Sequence, residues 1–202
     1  MTTTNSYELA LGRAIEKLVS DFQGQRERWW SERDLHWSLF YYLKQEPSAP
    51  EPYPTDYIRA EFPTVKKYPS SRGHYDLAIL DPISLAQPDV RDAPREELWD
   101  VYLPKVKLLV AVEIKLWWTR RYLTDRDKMI DWDVKKLTDL QNIVQTPYFL
   151  NFVEMDFSGP IHNPFYYDLR QKLSQIKAKH PNLNVLCVPS EAWRQPKGGN
   201  WL

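Results

Sequence analysis

The sequence predicts an α/β domain with a mixed central β-sheet flanked by helices. Segments with helical spacing of apolar residues alternate with five short extended segments, in the order helix, helix, three strands, helix, strand, helix, strand. The length of 202 residues, with 43% hydrophobic and 27% charged residues, is typical of one globular domain. We therefore expect a single domain over residues 1–202.

Two helices are predicted before a proline-rich segment at residues 46–54. The second helix is predicted at residues 32–45, with Ser31 as N-cap and Asp34 as its capping-box partner. Glu32 lies in its first turn, where the positive end of the helix dipole favours a carboxylate. The first helix, residues 6–22, has one apolar face: Leu11, Ile15, Leu18, Val19 and Phe22.

Three strands are predicted next, at residues 57–65, 74–80 and 106–116. The third contains the run LLVAVEI, which is typical of a strand buried on both faces. Residues 66–73 form the predicted hairpin turn. The acidic, proline-containing span 82–104 is too long for a tight turn and is predicted to be a surface insertion.

The second half of the chain predicts two helices that alternate with two strands. Thr124 is the predicted N-cap of the first of these helices, with Asp127 as box partner, and Asn163-Pro164 opens the second. The strands are predicted at residues 148–155 and 184–188, and residues 194–202 are predicted to be a mobile tail or a segment that orders on a partner. The first helix has one apolar stripe: Ile130, Val134, Leu137 and Val144.

Charge and hydropathy exclude several classes of protein. Lys plus Arg and Asp plus Glu number 27 each, so no global basic field exists and any contact with a polyanion must be local. The longest aliphatic run, residues 108–112, is far shorter than the roughly 20 residues of a membrane span. The N-terminus has no signal-peptide pattern, so we expect a cytoplasmic protein without membrane contact. Cys187 lies in an apolar run and is predicted to be a buried thiol.

Three polar residues interrupt the predicted strands. Asp76 lies in GHYDLAIL, and Glu113 and Lys115 lie in VAVEIKLWW. Strand alternation places Glu113 and Lys115 on one face, with Ile114 on the other. Two carboxylates suit a hard cation such as Mg²⁺, and a nearby lysine can hold or help to deprotonate an attacking water. Such a site can neutralise the charge that develops on a phosphate in the transition state.

The Glu-x-Lys triplet alone is weak evidence, since about 0.8 such triplets are expected by chance in a chain of this content. Its position at the end of the most aliphatic strand, after a strand that carries Asp76, gives it weight. The alternative interpretation is an ion pair between Glu113 and Lys115 at the edge of the sheet.

These residues, with the helix SERDLHWSLFYYL before them and DVKKL after them, resemble the PD-(D/E)XK nuclease superfamily. The resemblance covers residues 31–155. It implies a restriction-endonuclease-like αβββαβ core, here with an extra N-terminal helix and a C-terminal helix and strand. The proline of the signature is absent, since Tyr75 precedes Asp76.

The resemblance also implies roles for individual residues. Asp76 and Glu113 would be metal ligands for Mg²⁺, with Mn²⁺ able to substitute, and Lys115 would be the lysine of the signature. Glu32 would join the metal site, directly or through water. Two residues match polar positions of the helix after the signature strand: Asp133 and Lys136.

Further residues allow both a functional and a structural interpretation. Glu61 either approaches the metal site or faces solvent. His74 shares the face of Asp76, but a lone histidine is more often a hydrogen-bonded structural residue than a metal ligand. The nine tryptophans favour aromatic core packing over base stacking, and one of Trp117 and Trp118 is expected in the core. Weak candidates for substrate binding are Arg120, Arg121, Arg126, Trp118 and Lys136.

The sequence thus predicts a metal-dependent nuclease that hydrolyses phosphodiester bonds, with DNA preferred over RNA because of the resemblance alone. Specificity would come from a homodimer or from a partner protein. One alternative is a catalytically silent subunit of the same fold that binds nucleic acid or a protein. Another is a sheet domain in which the polar cluster is accidental.

Overall fold

The computed structural model describes residues 4–24, 29, 31–46, 57–67, 72–92, 103–118, 125–154, 164–190 and 200–201. Its helices are α1 (Thr4–Gly24), α2 (Glu32–Gln45), α3 (Pro82–Leu85), α4 (Pro88–Arg91), α5 (Arg126–Thr138) and α6 (Pro164–Lys179). Its strands are β1 (Ile58–Lys67), β2 (Arg72–Leu80), β3 (Leu108–Trp118), β4 (Val144–Glu154), β5 (Asn184–Pro189) and β6 (Asn200–Trp201).

The six strands form one mixed sheet in the order β1-β2-β3-β4-β5-β6. The pairs β1–β2 and β2–β3 are antiparallel, whereas β3, β4 and β5 run parallel and are connected through α5 and α6. Helices α1 and α2 contribute to the core on one face of the sheet, and α5 and α6 to the core on the other. The predicted class, an α/β domain with a mixed sheet flanked by helices, is confirmed.

Strand β3 lies in the middle of the sheet and is buried on both faces. Val112 and Ile114 point to the core beneath α1 and α2, whereas Ala111 and Trp117 point to the core beneath α5. This alternation places Glu113 and Lys115 on the α5 face, as predicted.

The β2–β3 ladder runs from Leu80 and Leu108 to Leu77 and Val112, where the two strands separate. Beyond this point β2 continues along β1, and β3 continues along β4 to Trp118. The separation creates a fork in the sheet. At this fork α2 on one face and α5 on the other both reach the edge of β3, so residues from both layers can meet there.

Helix α2 begins where the sequence predicts. Ser31 precedes Glu32, and the backbone N–H of Ser31 donates to the Asp34 carboxylate at 2.8 Å, as in a capping box. Helix α6 also confirms its prediction, because Phe165, Leu169 and Leu173 are buried. None of the helices in the described part of the chain is both long and apolar enough to cross a membrane.

One predicted boundary around α5 is wrong, and another falls on a residue outside the described part. The helix begins at Arg126, with Asp125 as the preceding residue, whereas the predicted N-cap Thr124 lies outside the described residues. Val144 is not on the helical stripe but is the first residue of β4. The helix ends at Thr138 because Asp139 turns the chain, accepting from the backbone N–H of Gln141, and Ile143 then adopts a left-handed conformation.

The span 82–104 and the C-terminal segment contain structure that the sequence did not predict. The span includes α3 and α4, and its residues Val90 and Leu103 are buried, so part of it belongs to the core. Asn200 and Trp201, predicted to belong to a mobile tail, pair with β5 as β6. Residues 93–102 and 191–199 lie outside the described part.

Candidate metal centre

Three side chains with metal-ligating atoms meet at the fork. Glu32 and His36 lie one turn apart on α2, and Asp76 extends from β2. One ligand atom from each lies within 4.8 Å of the other two, and no other described residues form such a group of three. The His36 Nε2 atom lies 3.2 Å from Asp76 Oδ2 and 3.8 Å from Glu32 Oε1.

The two carboxylates also cover backbone groups that the fork leaves open on β3. The Ile114 N–H donates to Asp76 Oδ2 at 2.6 Å, and the Leu116 N–H donates to Glu32 Oε2 at 3.4 Å. Buried backbone donors need such partners, and here carboxylates replace the missing strand neighbour. The geometry of the sheet therefore holds both acids in place.

His36 and Asp76 each stabilise the charged form of the other. Burial disfavours the charged form of His36, but its contact with Asp76 and the charge of Glu32 together raise its pKa. Burial likewise disfavours the Asp76 carboxylate, but His36, Lys115 and the Ile114 N–H together lower its pKa. A divalent cation would take the place of the proton on His36, because only the neutral imidazole is a ligand.

Lys115 lies between α2 and α5. Its Nζ atom is 3.2 Å from Glu32 Oε1 and 3.2 Å from Asp133 Oδ2. Burial opposes the charge of Lys115, but Asp133, Glu32 and the other nearby carboxylates raise its pKa above the usual value. The lysine is therefore a cation at neutral pH, able to donate hydrogen bonds and to offset negative charge.

Glu113 has a different partner. Its side chain is 1% exposed, and Oε1 lies 2.6 Å from Nζ of Lys136 on α5. Lys136 is also 2.9 Å from Asp133 Oδ1 and donates to the His74 carbonyl. Burial, with the charges of Asp76 and Asp133, raises the pKa of Glu113 well above its usual range.

Glu113 and Lys115 therefore each form ion pairs with residues of other elements rather than with each other. Glu113 pairs with Lys136, and Lys115 pairs with Glu32 and Asp133, so the described contacts do not contain the simple Glu113–Lys115 pair of the alternative interpretation. Of the three expected metal ligands, the structure brings Glu32 and Asp76 together, with His36 as the third member. Glu113 stays outside that group.

The chemistry of the donor atoms favours some cations over others. Two carboxylates and one imidazole suit Mn²⁺ or a similar transition-metal ion, whereas Mg²⁺ prefers oxygen ligands. Glu32, His36 and Asp76 would hold the ion. The expectation of Mg²⁺, with Mn²⁺ able to substitute, stays a prediction.

The structure places several other candidates away from this group. The His74 side chain is exposed, and Glu61 is exposed with a left-handed backbone in β1. Trp117 is a core residue whose Nε1 donates to Asn151 Oδ1 at 2.9 Å. Lys136 is 7% exposed and paired inside the protein, which does not suit direct contact with a substrate.

Of the remaining basic and aromatic candidates, only Arg126 has a described side chain. The Arg126 guanidinium lies 5.4 Å from the centre of the Phe165 ring and pairs with Asp127. Arg120 and Arg121 lie outside the described residues, and so does the side chain of Trp118, whose backbone ends β3.

His36 is the residue that sequence reasoning missed. The available signal was its spacing, since a glutamate and a histidine four residues apart lie on the same helix face. That spacing becomes informative only when Asp76 is known to lie opposite. Comparison with family models, curated proteins and solved structures gives no match for this chain.

Proposed function

We propose that this protein is a metal-dependent nuclease that hydrolyses phosphodiester bonds at the β2–β3 fork. The observation that carries the proposal is the grouping of Glu32, His36 and Asp76 within ligand distance, with the Lys115 ammonium 3.2 Å from Glu32. A divalent cation beside a protonated lysine is an arrangement that stabilises negative charge on a phosphate. The resemblance to the PD-(D/E)XK superfamily supports the same assignment and favours DNA.

Each side chain has a role in this proposal. Glu32, His36 and Asp76 hold the ion, which supplies an activated water and an electrophile for the phosphate when bound. Lys115 donates hydrogen bonds to the attacking water or to a phosphate oxygen, and its raised pKa makes it a charge stabiliser rather than a general base. Asp133 positions Lys115 from α5.

Glu113 acts from behind the metal group. Because it is buried and paired with Lys136, it shapes the charge of the site rather than contacting solvent. In this respect the proposal differs from the signature roles that the resemblance implies, in which Glu113 would be a direct ligand.

The test is a cleavage assay on single-stranded, duplex and branched DNA and on RNA, in Mn²⁺ and in Mg²⁺ at low salt. We expect cleavage by the purified full chain, with loss in Asp76→Asn and in Lys115→Met. The matched controls are Asp89→Asn and Lys128→Met, which change exposed residues whose ion pairs, with Lys105 and Asp125, do not involve the site. Loss of cleavage in the two site variants, purified in the same way, would exclude a contaminating nuclease, and retained activity in the two controls would show that the loss is specific to the site.

The two variants separate metal binding from charge stabilisation. Asp76→Asn removes a ligand, so Mn²⁺ affinity by calorimetry should fall, whereas Lys115→Met should retain Mn²⁺ binding. Absence of cleavage by the unmodified protein on all substrates, with Mn²⁺ bound, would favour the silent-subunit alternative.

A further inference from the structure

The outer face of α2 carries two aromatic side chains flanked by two basic ones. Trp37 is 57% exposed and Tyr41 is 56% exposed, one helical turn apart. Arg33 and Lys44 lie at the two ends of the same face, because positions 33, 37, 41 and 44 are spaced by three or four residues. We call these four residues the α2 stripe.

The stripe is not required for the core. The opposite face of α2 supplies the buried residues Leu35, Leu39 and Leu43, which pack beneath the sheet. Phe40 supports the stripe at its side, with its ring 5.8 Å from that of Trp37 in an edge-on contact. The Lys44 Nζ atom lies 4.5 Å from the centre of the Phe40 ring. Contiguous exposed apolar surface can mark a binding site, and Trp37 and Tyr41 form such a surface here because they lie one turn apart.

The stripe adjoins the candidate metal centre. Arg33 directly follows Glu32, and Trp37 directly follows His36, so the metal-ligating face and the stripe are neighbouring faces of one helix. A ligand that lies along the stripe therefore passes beside the metal-ligating side chains.

We infer that the α2 stripe binds single-stranded nucleic acid and leads it to the fork; this inference rests on the proposed function. Exposed Trp and Tyr rings stack on unpaired bases of any sequence, and Arg and Lys bind the phosphates between them. Stacked bases inside a duplex do not offer their faces, so the stripe selects single strands over duplexes. From Arg33 to Lys44 the helix rises about 16 Å, the length of about five nucleotides of a duplex strand at roughly 3.4 Å each, so a more extended single strand crosses the stripe with fewer nucleotides.

The experiment measures binding without cleavage. Fluorescence anisotropy of a labelled 15-mer of thymidylate is recorded with the full chain in EDTA at low salt, and a duplex of the same length is the competitor. The variants are Trp37→Ala and Tyr41→Ala. The matched control is Tyr167→Ala on α6, because Tyr167 is an aromatic residue with a similar exposure of 55%.

We expect Kd for the single strand to rise about 5- to 150-fold in Trp37→Ala and in Tyr41→Ala, the range that loss of one base stack produces. Tyr167→Ala should change Kd less than about twofold. Arg33→Gln should reduce the slope of log Kd against log salt by about 0.7, because one phosphate contact to the single strand is lost. Trp37→Phe should restore most of the affinity, since it retains a stacking ring.

Three results would overturn the inference. One is equal Kd values for Trp37→Ala, Tyr167→Ala and the unmodified chain. Another is a duplex that competes as well as the single strand. The third is no oligonucleotide binding together with self-association that Trp37→Ala abolishes, which would make the stripe a protein interface. Because the assay needs no metal, stripe-dependent binding without cleavage would refute the nuclease proposal alone.

Discussion

Lys136→Met tests the electrostatic account of the site through stability alone. The substitution removes the cation 2.6 Å from Glu113 and leaves a carboxylate that is 1% exposed without its closest partner. Removing one partner of a buried ion pair costs about 3–5 kcal/mol of unfolding free energy. We expect a loss of this size at pH 8. The neighbouring Lys135→Met, at an exposed position of the same helix, should change stability by less than about 0.5 kcal/mol.

The loss should depend on pH in a defined direction. Because the pKa of Glu113 is raised in the folded protein, the folded state holds this proton more tightly than the unfolded chain does. The resulting stability is fully present below the unfolded pKa of about 4.3 and is lost as the pH rises through the folded pKa. Lys136 opposes the shift, so its removal widens that pH window. The variant should therefore lose less stability at pH 5 than at pH 8.

The assay is urea denaturation at both pH values, followed by circular dichroism. A double variant, Glu113→Gln with Lys136→Met, removes the buried charge as well as its partner and should recover at least about 1 kcal/mol relative to Lys136→Met. A loss below about 1 kcal/mol, an equal loss at both pH values, or strict additivity in the double variant would refute the reasoning.

Three further predictions follow from the same structure. Mn²⁺ should stabilise the unmodified protein by about 2.7 kcal/mol at one hundred times its Kd. In a melting experiment, the rise in melting temperature on adding Mn²⁺ should be smaller in His36→Ala and in Asp76→Asn. An equal rise in the variants and the unmodified protein would show that neither residue binds the metal. Burial raises the pKa of the Cys187 thiol to about 12, so iodoacetamide at pH 8 should label it only in denaturant, as mass spectrometry would reveal; rapid labelling of the folded protein would contradict its burial. Gly73→Ala would place a Cβ 3.0 Å from Cδ of Lys136. Because the Lys136 side chain is held in ion pairs, we expect the free energy of unfolding, measured by urea denaturation, to fall by about 1–3 kcal/mol. An unchanged free energy of unfolding would mean that the Lys136 side chain can move aside.

Local patterns in the sequence predicted the parts of the fold and site that depend on neighbouring residues. The start of α2 follows from Ser31 and Asp34, which interact across three positions of the chain. The shared face of Glu113 and Lys115 follows from strand alternation alone. These features need no knowledge of how distant segments pack.

The features that were missed depend on segments far apart in the chain. Glu113 pairs with Lys136 rather than with Lys115 because α5 packs over β3 and brings a second lysine to the buried carboxylate. His36 gains its significance only from Asp76, 40 positions later on another element. The early start of β4 at Val144 depends on the left-handed turn at Ile143, which no apolar periodicity reveals.

Every strand of the sheet pairs only with strands that neighbour it in the chain. Each strand can therefore pair as soon as the next strand in the chain has formed. Each pairing step closes only the one loop that connects the two strands, so its entropy cost is small. Such an order favours a folding pathway in which hairpins and βαβ units add one after another. The residues from Glu32 to Lys136 that form the candidate site all precede β4, β5 and β6 along the chain. We therefore expect the site to take shape during synthesis as soon as α5 docks on β3, with the last strands serving to lock it.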